Sequence, residues 1–518
     1  MAEYLIGIDV GTTNVKAGLF TDGGELCALG SGTHKTYFRG NMMAEQRPEE
    51  WWDSAVSAIR QMLQRAGLSP ADKILGISVS SQAPSLVPVD REGRVLRDAL
   101  IWMDRRAEKE LREIVNTIEY TRFREITGAS PDSFYLLPKL YWYKKQEREL
   151  FKKTEFVLQT NGYINYRLTH ERSYDISHAM LSLCMDVRTG TFSEEIEKAV
   201  GMNFGSLFPP VNKNEELIGT VTRDAAEVTG IPEGTPVAAG TTDTIAALLS
   251  FGMSRPGEAA EITGTSTLAY FTHGEKLADP GRLMLKQSPV PSIPTILNAP
   301  INATGASVKW YLDMMGEKIK NQAEREKKEV LDLFTEHAAH ASPGCGGLLY
   351  FPYLMGERGP LWNTYARGMF IGMTLDTTES DLARSILEGT SYALRHLCEE
   401  AKKLGARPES MRVSGGGAAN ALWLEIKASV LNIPVLVPDR KSGNAILGDA
   451  LLAGKAVGLY DDLGKTSSEF VTIDKVIEPK KDWVEVYEKL YPYYRSMYQC
   501  LDPELKKLAD TVEELQGR

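Results

Sequence analysis

The first strong signal along the chain is a short apolar run, YLIGIDV at 4–10, which breaks at GTTN and resumes as VKAGLFT. DGG at 22–24 has the make-up of a hairpin turn, and ELCALGSGTH follows it as a further strand, so the chain opens on a strand meander. Residues 48–67, PEEWWDSAVSAIRQMLQRAG, set apolar side chains at helical spacing between a Pro-Glu-Glu start and a closing glycine, and predict a helix. ILGISVSS at 74–81 follows as a buried strand.

The same pattern returns later with different residues. GEAAEITGTSTLAYFTHG (257–274) reads as strand, Gly-Thr-Ser turn and strand. SDLARSILEGTSYALRHLCEEAKKLG (380–405) reads as a long helix closed by Gly405, and SMRVSGGGAANALWLEIKASVLN (410–432) as strand, glycine-rich turn and helix. Two halves that each begin strand, Gly-Thr turn, strand predict a duplicated α/β unit, joined where FGMSRPGE follows a helix near 250–258. The expected layout is a first domain over 1–252, a second over 253–490 and a C-terminal helical tail over 491–518, with the helix interrupted at Pro492 and around Pro503.

Composition and charge narrow the class. At 518 residues the chain exceeds one ordinary core, and 43% apolar with 25% charged residues is the balance of a globular protein. A net charge of -10 with no Lys/Arg stripe argues against nucleic acid and leaves a small molecule as the expected partner. Five scattered cysteines without CxxC spacing suit a reducing compartment. With neither a basic n-region ahead of an apolar stretch nor an apolar span of about 18 residues, the expectation is a cytoplasmic protein without a membrane partner. None of the seven histidines has metal-ligand spacing.

The chemistry sits in polar residues among apolar ones. Asp9 ends a buried strand, where an uncompensated carboxylate costs several kcal/mol, so it either caps a turn or holds an ion. With Gly11, Thr12 and Thr13 it offers a carboxylate, a close backbone and hydroxyls, a set suited to a phosphate with its Mg²⁺, although GxxxxGK[ST] is absent. GTST at 264–267 stands in the corresponding place of the other half. Either turn alone also reads as a tight hairpin; as a pair they can grip a polyphosphate from two sides. Asp243, where TPVAAGTTD runs into an apolar helix, is either an N-cap or a base that accepts a hydroxyl proton. SGGGAAN at 414–420 is a packing turn or a surface on which a ring or ribose lies against backbone. Asp104 in ALIWMDRRA is a polyol ligand or half of a salt bridge.

Together, IGIDVGTTNVKAGLF, ISVSSQAPSLVPVDREGRVLRDALIWMDRR, IPEGTPVAAGTTDT, GTST, ATGASVKWYL, GLLYFPYLMGERGPLWNTYARGMFIGM and VSGGGAAN resemble the FGGY carbohydrate kinases in order and spacing over about residues 4–460. The resemblance implies an α/β chain of two ribonuclease-H-like domains, as in actin and hexokinase, with a catalytic cleft between them for ATP, Mg²⁺ and a sugar or polyol. It implies that Asp9 and Asp243 are associated with Mg²⁺ and that Asp243 is the general base. Thr12 and Thr13 match the first phosphate loop, and Gly264, Thr265 and Ser266 the second. Gly305 begins a segment near the nucleotide, and Gly416, Gly417 and Asn420 match the adenosine turn, with Asn420 standing where many xylulose kinases carry Ser.

Substrate motifs diverge more. Glycerol kinases carry Gln-Arg-Glu where this chain has Gln82-Ala83-Pro84, and Asp-Gln where it has Asp243-Thr244, which argues against glycerol. WMD at 102–104 resembles the Trp-Asn-Asp of xylulose kinases, so Gln82, Asp104 and Asp243 are expected at a ketopentose such as D-xylulose, giving the 5-phosphate. Ribulose, erythritol, gluconate, L-xylulose or fuculose are the alternatives. The remote alternative is a chaperone-like ATPase, since IDVGTTN also resembles the start of those proteins. A monomer or homodimer is expected.

Overall fold

The computed structural model describes residues 2–40, 42–69, 71–439 and 444–516. Met1 of the expected first domain, and Gly517 and Arg518 of the expected tail, lie outside the described residues. The opening meander is β1 (Glu3–Val10), β2 (Asn14–Thr21) and β3 (Leu26–Thr33), each antiparallel to the next. Helix α1 (Pro48–Ala66) starts on Pro48 with Glu49 and Glu50 in its first turn, where acids favour the helix dipole, and ends at Gly67 with φ 59°. It buries Trp51, Ala55, Ile59 and Met62 and leads into β4 (Lys73–Ser81), parallel to β1.

Strands β5 (Leu217–Thr220) and β6 (Pro236–Ala238) complete the order β5-β6-β4-β1-β2-β3, and β7 (Thr241–Thr242) also pairs with β4 just before α2 (Asp243–Leu249). The second sheet comprises β8 (Glu258–Thr263), β9 (Thr267–His273), β10 (Met284–Gln287), β11 (Thr295–Ile301), β12 (Ser410–Gly415), β13 (Val435–Pro438) and β14 (Ile473–Ile477). Its order is β10-β11-β9-β8-β12-β13-β14. Around it run α3 (Gly305–Met314), α4 (Glu379–Lys403) and α5 (Ala421–Leu431), and α6 (Ala445–Ala456) follows β13 in the chain. Both sheets share one core, an antiparallel triplet whose first strand runs parallel to a later one: β3-β2-β1-β4-β6 and β11-β9-β8-β12-β13. This is the duplication that the sequence pattern implies without a residue-level repeat.

The halves are joined by α6, which comes from the end of the second half but packs on the first. A Cβ on Gly7 of β1 would lie 1.9 Å from the Ile446 carbonyl oxygen, and one on Gly448 of α6 would lie 1.9 Å from that of Ala246 in α2. Only glycine allows backbones this close.

The last helix, α7 (Lys481–Gln516), runs unbroken through Pro492 and Pro503, which corrects the expected interruptions. An internal proline costs about 3 kcal/mol. Against that, Tyr487, Tyr491, Tyr494 and Tyr498 form one face buried with Phe351, Tyr353 and Tyr392, and Tyr494 stacks on Phe351 at 4.6 Å. Each such burial contributes about 1.5–3 kcal/mol, enough to hold the helix across both prolines. Among the described residues no helix is long and apolar enough to cross a membrane.

Gly448→Ala is expected to lower stability by about 1–3 kcal/mol through overpacking, read as a fall in the denaturant midpoint. An unchanged midpoint would contradict the contact between α6 and α2.

Candidate active site

Two strand pairings set the carboxylates side by side. Asp9 of β1 lies opposite Ser80 of β4, and Thr242 of β7 lies opposite Ser81, so Asp9 and Asp243 emerge at the same end of the sheet. The N-cap of α2 is Thr242, whose Oγ1 accepts from the Ile245 amide at 3.4 Å. Asp243 is therefore not the cap. Its Oδ1 accepts from the Thr244 amide at 2.6 Å, and its Oδ2 has no hydrogen bond among the described residues.

Asp9 Oδ1 is buried without a partner. Burial, and after it the negative charge of Asp243, push the Asp9 carboxyl up to about 7, with Lys16 acting in the opposite direction. A third carboxylate completes the floor. Asp449 of α6 is fully buried and accepts from Ser80 Oγ at 2.7 Å. Burial raises it well above the usual carboxylate range, and Asp9 and Asp243 add to that. Nothing in AILGDALLAGKA marks Asp449 apart from being one acid in an apolar helix.

The unpartnered oxygens of Asp9 and Asp243 suit a hard divalent cation. Among the described residues no cluster of three or more His, Cys, Asp or Glu forms a closed metal cage, so the remaining ligands would be water and phosphate oxygens, the habit of Mg²⁺.

A buried polar clamp holds the segment that delivers Asp243. Asn165 Nδ2 donates to the Ala239 carbonyl at 2.9 Å, Asn214 Nδ2 to that of Gly240 at 2.8 Å, and Thr241 Oγ1 to Ser177 Oγ at 3.0 Å. Asn161 Nδ2 donates to Asp175 at 3.0 Å, His178 Nδ1 lies 2.7 Å from the same carboxylate, and His178 Nε2 lies 3.3 Å from Ser81 Oγ. Asn161 Oδ1 and Asn165 Oδ1 stay without a partner, but the bonds made reach the carbonyls of Ala239 and Gly240 and the hydroxyl of Thr241 and restrain β7 and Asp243.

The two Gly/hydroxyl turns flank the carboxylates. Thr12 Oγ1 accepts from Trp102 Nε1 at 3.0 Å, its carbonyl accepts from Gln46 Nε2 at 2.7 Å, and Thr13 is exposed. In the second half Gly264 and Thr265 are exposed and Ser266 is half-buried. Gly305, the first residue of α3, abuts this turn: a Cβ there would lie 2.2 Å from the Gly264 carbonyl oxygen. Thr263 lies opposite Gly415, so the 264–266 turn and the glycine-rich turn leave adjacent strand ends. Gly416 is exposed there and Gly417 is buried against Thr263. Asn420 is engaged differently from its expected part. Its Oδ1 caps α5 through the Trp423 amide at 3.0 Å and its Nδ2 donates to Thr335 at 2.8 Å.

On the acceptor side, Gln82 is 1% exposed, its Nε2 donates to Gln46 Oε1 at 2.6 Å, and its Oε1 is buried without a partner. Asp104 differs from expectation. It is completely buried and accepts from the Ala44 amide at 2.8 Å and from Arg106 at 2.8 Å, so its carboxylate is saturated and offers no oxygen to a sugar hydroxyl.

Three cations join these groups; Arg105 follows Asp104 at the end of the ALIWMDRRA strand, whereas Lys286 and Arg358 have no local signal in the sequence. Lys286 stands on the same face of β10 as Met284, and thus on the face that Tyr270 occupies on β9. Burial pushes its ammonium down to about 8 against the favourable charge of Asp243, and it makes no ion pair among the described residues. Arg105 and Arg358 come from opposite halves. Burial, then the like charge of Arg358, lower Arg105, so the 104–106 and 357–358 segments face one another.

Twin α/β halves that enclose carboxylates and two phosphate-sized turns define a phosphotransferase for a small acceptor. The chain belongs to the FGGY family of carbohydrate kinases: the N-terminal domain of that family matches residues 4–250 and the C-terminal domain residues 259–457. It is 28% identical to a xylulose kinase of Staphylococcus epidermidis over 96% of this chain and 97% of that one. A glycerol kinase of Thermococcus gammatolerans is 31% identical over 95% and 96%. The crystal structure of a xylulose kinase from Rhodospirillum rubrum superposes with a TM-score of 0.88 at 28% identity, covering 97% of this chain and 100% of that one. The protein is a carbohydrate kinase, and the chaperone-like reading of IDVGTTN is set aside.

Glu357 gives a pH prediction. It is 3% exposed, and burial pushes its carboxyl from an ordinary 4.5 up to about 8, although the Asn302 and Arg358 amides donate to it at 2.9 Å. The folded state thus holds this proton more tightly than the unfolded chain. Its contribution to stability is complete below about 4.5 and is lost as pH rises through about 8. Glu357→Gln is expected to flatten the fall in Tm across that window; a variant that falls as steeply as the parent would contradict the buried neutral carboxyl.

Proposed function

We propose that this kinase transfers the γ-phosphoryl group of ATP, with Mg²⁺, to a terminal hydroxyl of a ketopentose, D-xylulose giving the 5-phosphate being the first candidate. The observation that carries the reading is the pair of unpartnered carboxylate oxygens, Asp9 Oδ1 and Asp243 Oδ2, at one strand end beside two exposed Gly/hydroxyl turns. Asp243 Oδ2 takes the proton as the sugar oxygen attacks in line. Amides and hydroxyls of 12–13 and 264–266 hold phosphate oxygens, and Gly416 and Gly417 accept the adenosine face. Mg²⁺ beside Asp9 and Asp243 would neutralise charge on the phosphates.

Gln82 Oε1, buried and unpartnered, accepts a hydrogen bond from a sugar hydroxyl. Lys286, carried by the second half, brings positive charge toward Asp243. Closure of the halves excludes water, which would otherwise compete as acceptor. Use of ATP and five cysteines without disulfides fit the cytoplasm. A second acceptor class, sugar acids, is favoured by Arg358, whose charge acts on Arg105; Arg105 is already paired with Asp132, and an anionic group at Arg358 would relieve the repulsion that remains.

An ADP-release assay over D-xylulose, D-ribulose, L-xylulose, fuculose, erythritol, gluconate and glycerol tests this reading. The highest kcat/KM is expected on a ketopentose; a highest value on gluconate would transfer the assignment to sugar acids, and one on erythritol would overturn both. Gln82→Ala is expected to raise the acceptor KM roughly tenfold with the ATP KM unchanged. Equal KM values in parent and variant would remove Gln82 from the site.

A further inference from the structure

The second half holds a cavity of about 520 Å³ between α7 and the 361–365 loop, lined by residues that have no part in the cleft. Its volume lies in the range of small-molecule sites. Trp362, Tyr353, Tyr365 and Tyr498 form aromatic walls, and Arg282 and Lys506 are exposed at it without an ion pair among the described residues. A further cation, Arg495, is already paired with Glu399 at 2.8 Å. His396 also lines the cavity; it is 3% exposed, and its Nε2 has no hydrogen bond, the Glu400 carboxylate lying 3.6 Å away. A buried polar atom left without a partner is costly.

We propose that this cavity is a second ligand site that takes a small organic phosphate. The phosphate lies against Arg282 and Lys506, and the organic part against the rings of Trp362 and Tyr498. Sugar phosphates and nucleoside monophosphates share this chemistry, with hydroxyls that the exposed Gln499 amide can bind; the Asn363 amide is already engaged with Tyr498, Asp502 and the Tyr365 amide.

The site is wired to the cleft by a short hairpin. The Glu357 and Asn363 amides each donate to the other's carbonyl at 2.8 Å, and the Trp362 amide donates to the Arg358 carbonyl at 2.5 Å. Trp362 has φ 51°, a conformation unfavourable for a bulky residue, and its Nε1 donates to the Arg282 carbonyl at 2.8 Å. At the other end Arg358 Nε donates to Asn302 Oδ1 at 2.6 Å, three residues before α3 and the 264–266 turn it abuts. A ligand that shifts Trp362 therefore shifts Arg358, and the two sites are energetically coupled in both directions.

The test is titration calorimetry on the full-length protein with its cleft filled by ADP and acceptor sugar, using AMP, a hexose 6-phosphate and inorganic phosphate as probes. At least one organic phosphate is expected to bind once per chain, and to be weakened roughly tenfold or more by Lys506→Glu or Arg282→Glu, both exposed positions whose kcat without ligand stays at the parent value. The identity of the tighter organic probe separates the two sources. No binding of either up to millimolar concentration, or binding unchanged in both variants, overturns the site. Inorganic phosphate binding as tightly overturns the aromatic part. The bound organic phosphate is also expected to change the KM for ATP or acceptor in the parent and not in Lys506→Glu; unaltered KM values overturn the coupling.

Discussion

Asp9, Asp243 and Asp449 lie within one another's electric field in a region largely shut off from water, and like charges so placed cannot all be ionised cheaply. The protein meets this constraint by raising Asp449, hydrogen-bonded to Ser80, well above the usual carboxylate range and by lifting Asp9 to about 7. The remaining charge can be met by a divalent cation and by Lys286 from the other half. The fold follows from the same need. To bring Asp449 beneath β1 and β4, α6 must lie almost on the backbone of the first sheet, which is why Gly7 and Gly448 have no room for a Cβ.

The second dependence is on position. A base is useful only if its oxygen stays where the hydroxyl arrives, and here no regular element alone provides that, since β7 has two residues. The work falls to Asn161, Asn165, Asn214, Ser177 and the Asp175–His178 pair, all buried and all from segments between β4 and β7. The long insertion in the first half thus serves to restrain Asp243.

Features set by local chemistry were legible in the sequence. The repeated strand, Gly-Thr turn, strand pattern anticipates the twin sheets, and an acid at an apolar strand end anticipates Asp9 and Asp243. Features that depend on a distant partner were not. Asp449 and Lys286 look like an ordinary helix acid and strand lysine until folding brings them to Asp243, and Asp104 looks like a sugar ligand until Ala44 and Arg106 are seen to saturate it. Asn420 likewise serves as a helix cap. Pro492 and Pro503 mislead for the opposite reason, because tyrosine packing outweighs a local preference.

The central claim is that Asp243 acts as the proton acceptor and is not merely part of the helix start, which Thr242 caps. Asp243→Asn keeps the shape and an acceptor for the Thr244 amide while removing the base. Sugar-dependent ADP release in this variant is predicted to fall roughly 10²–10⁴-fold in kcat with the fold and ADP binding retained. Turnover close to that of the parent enzyme would contradict the account.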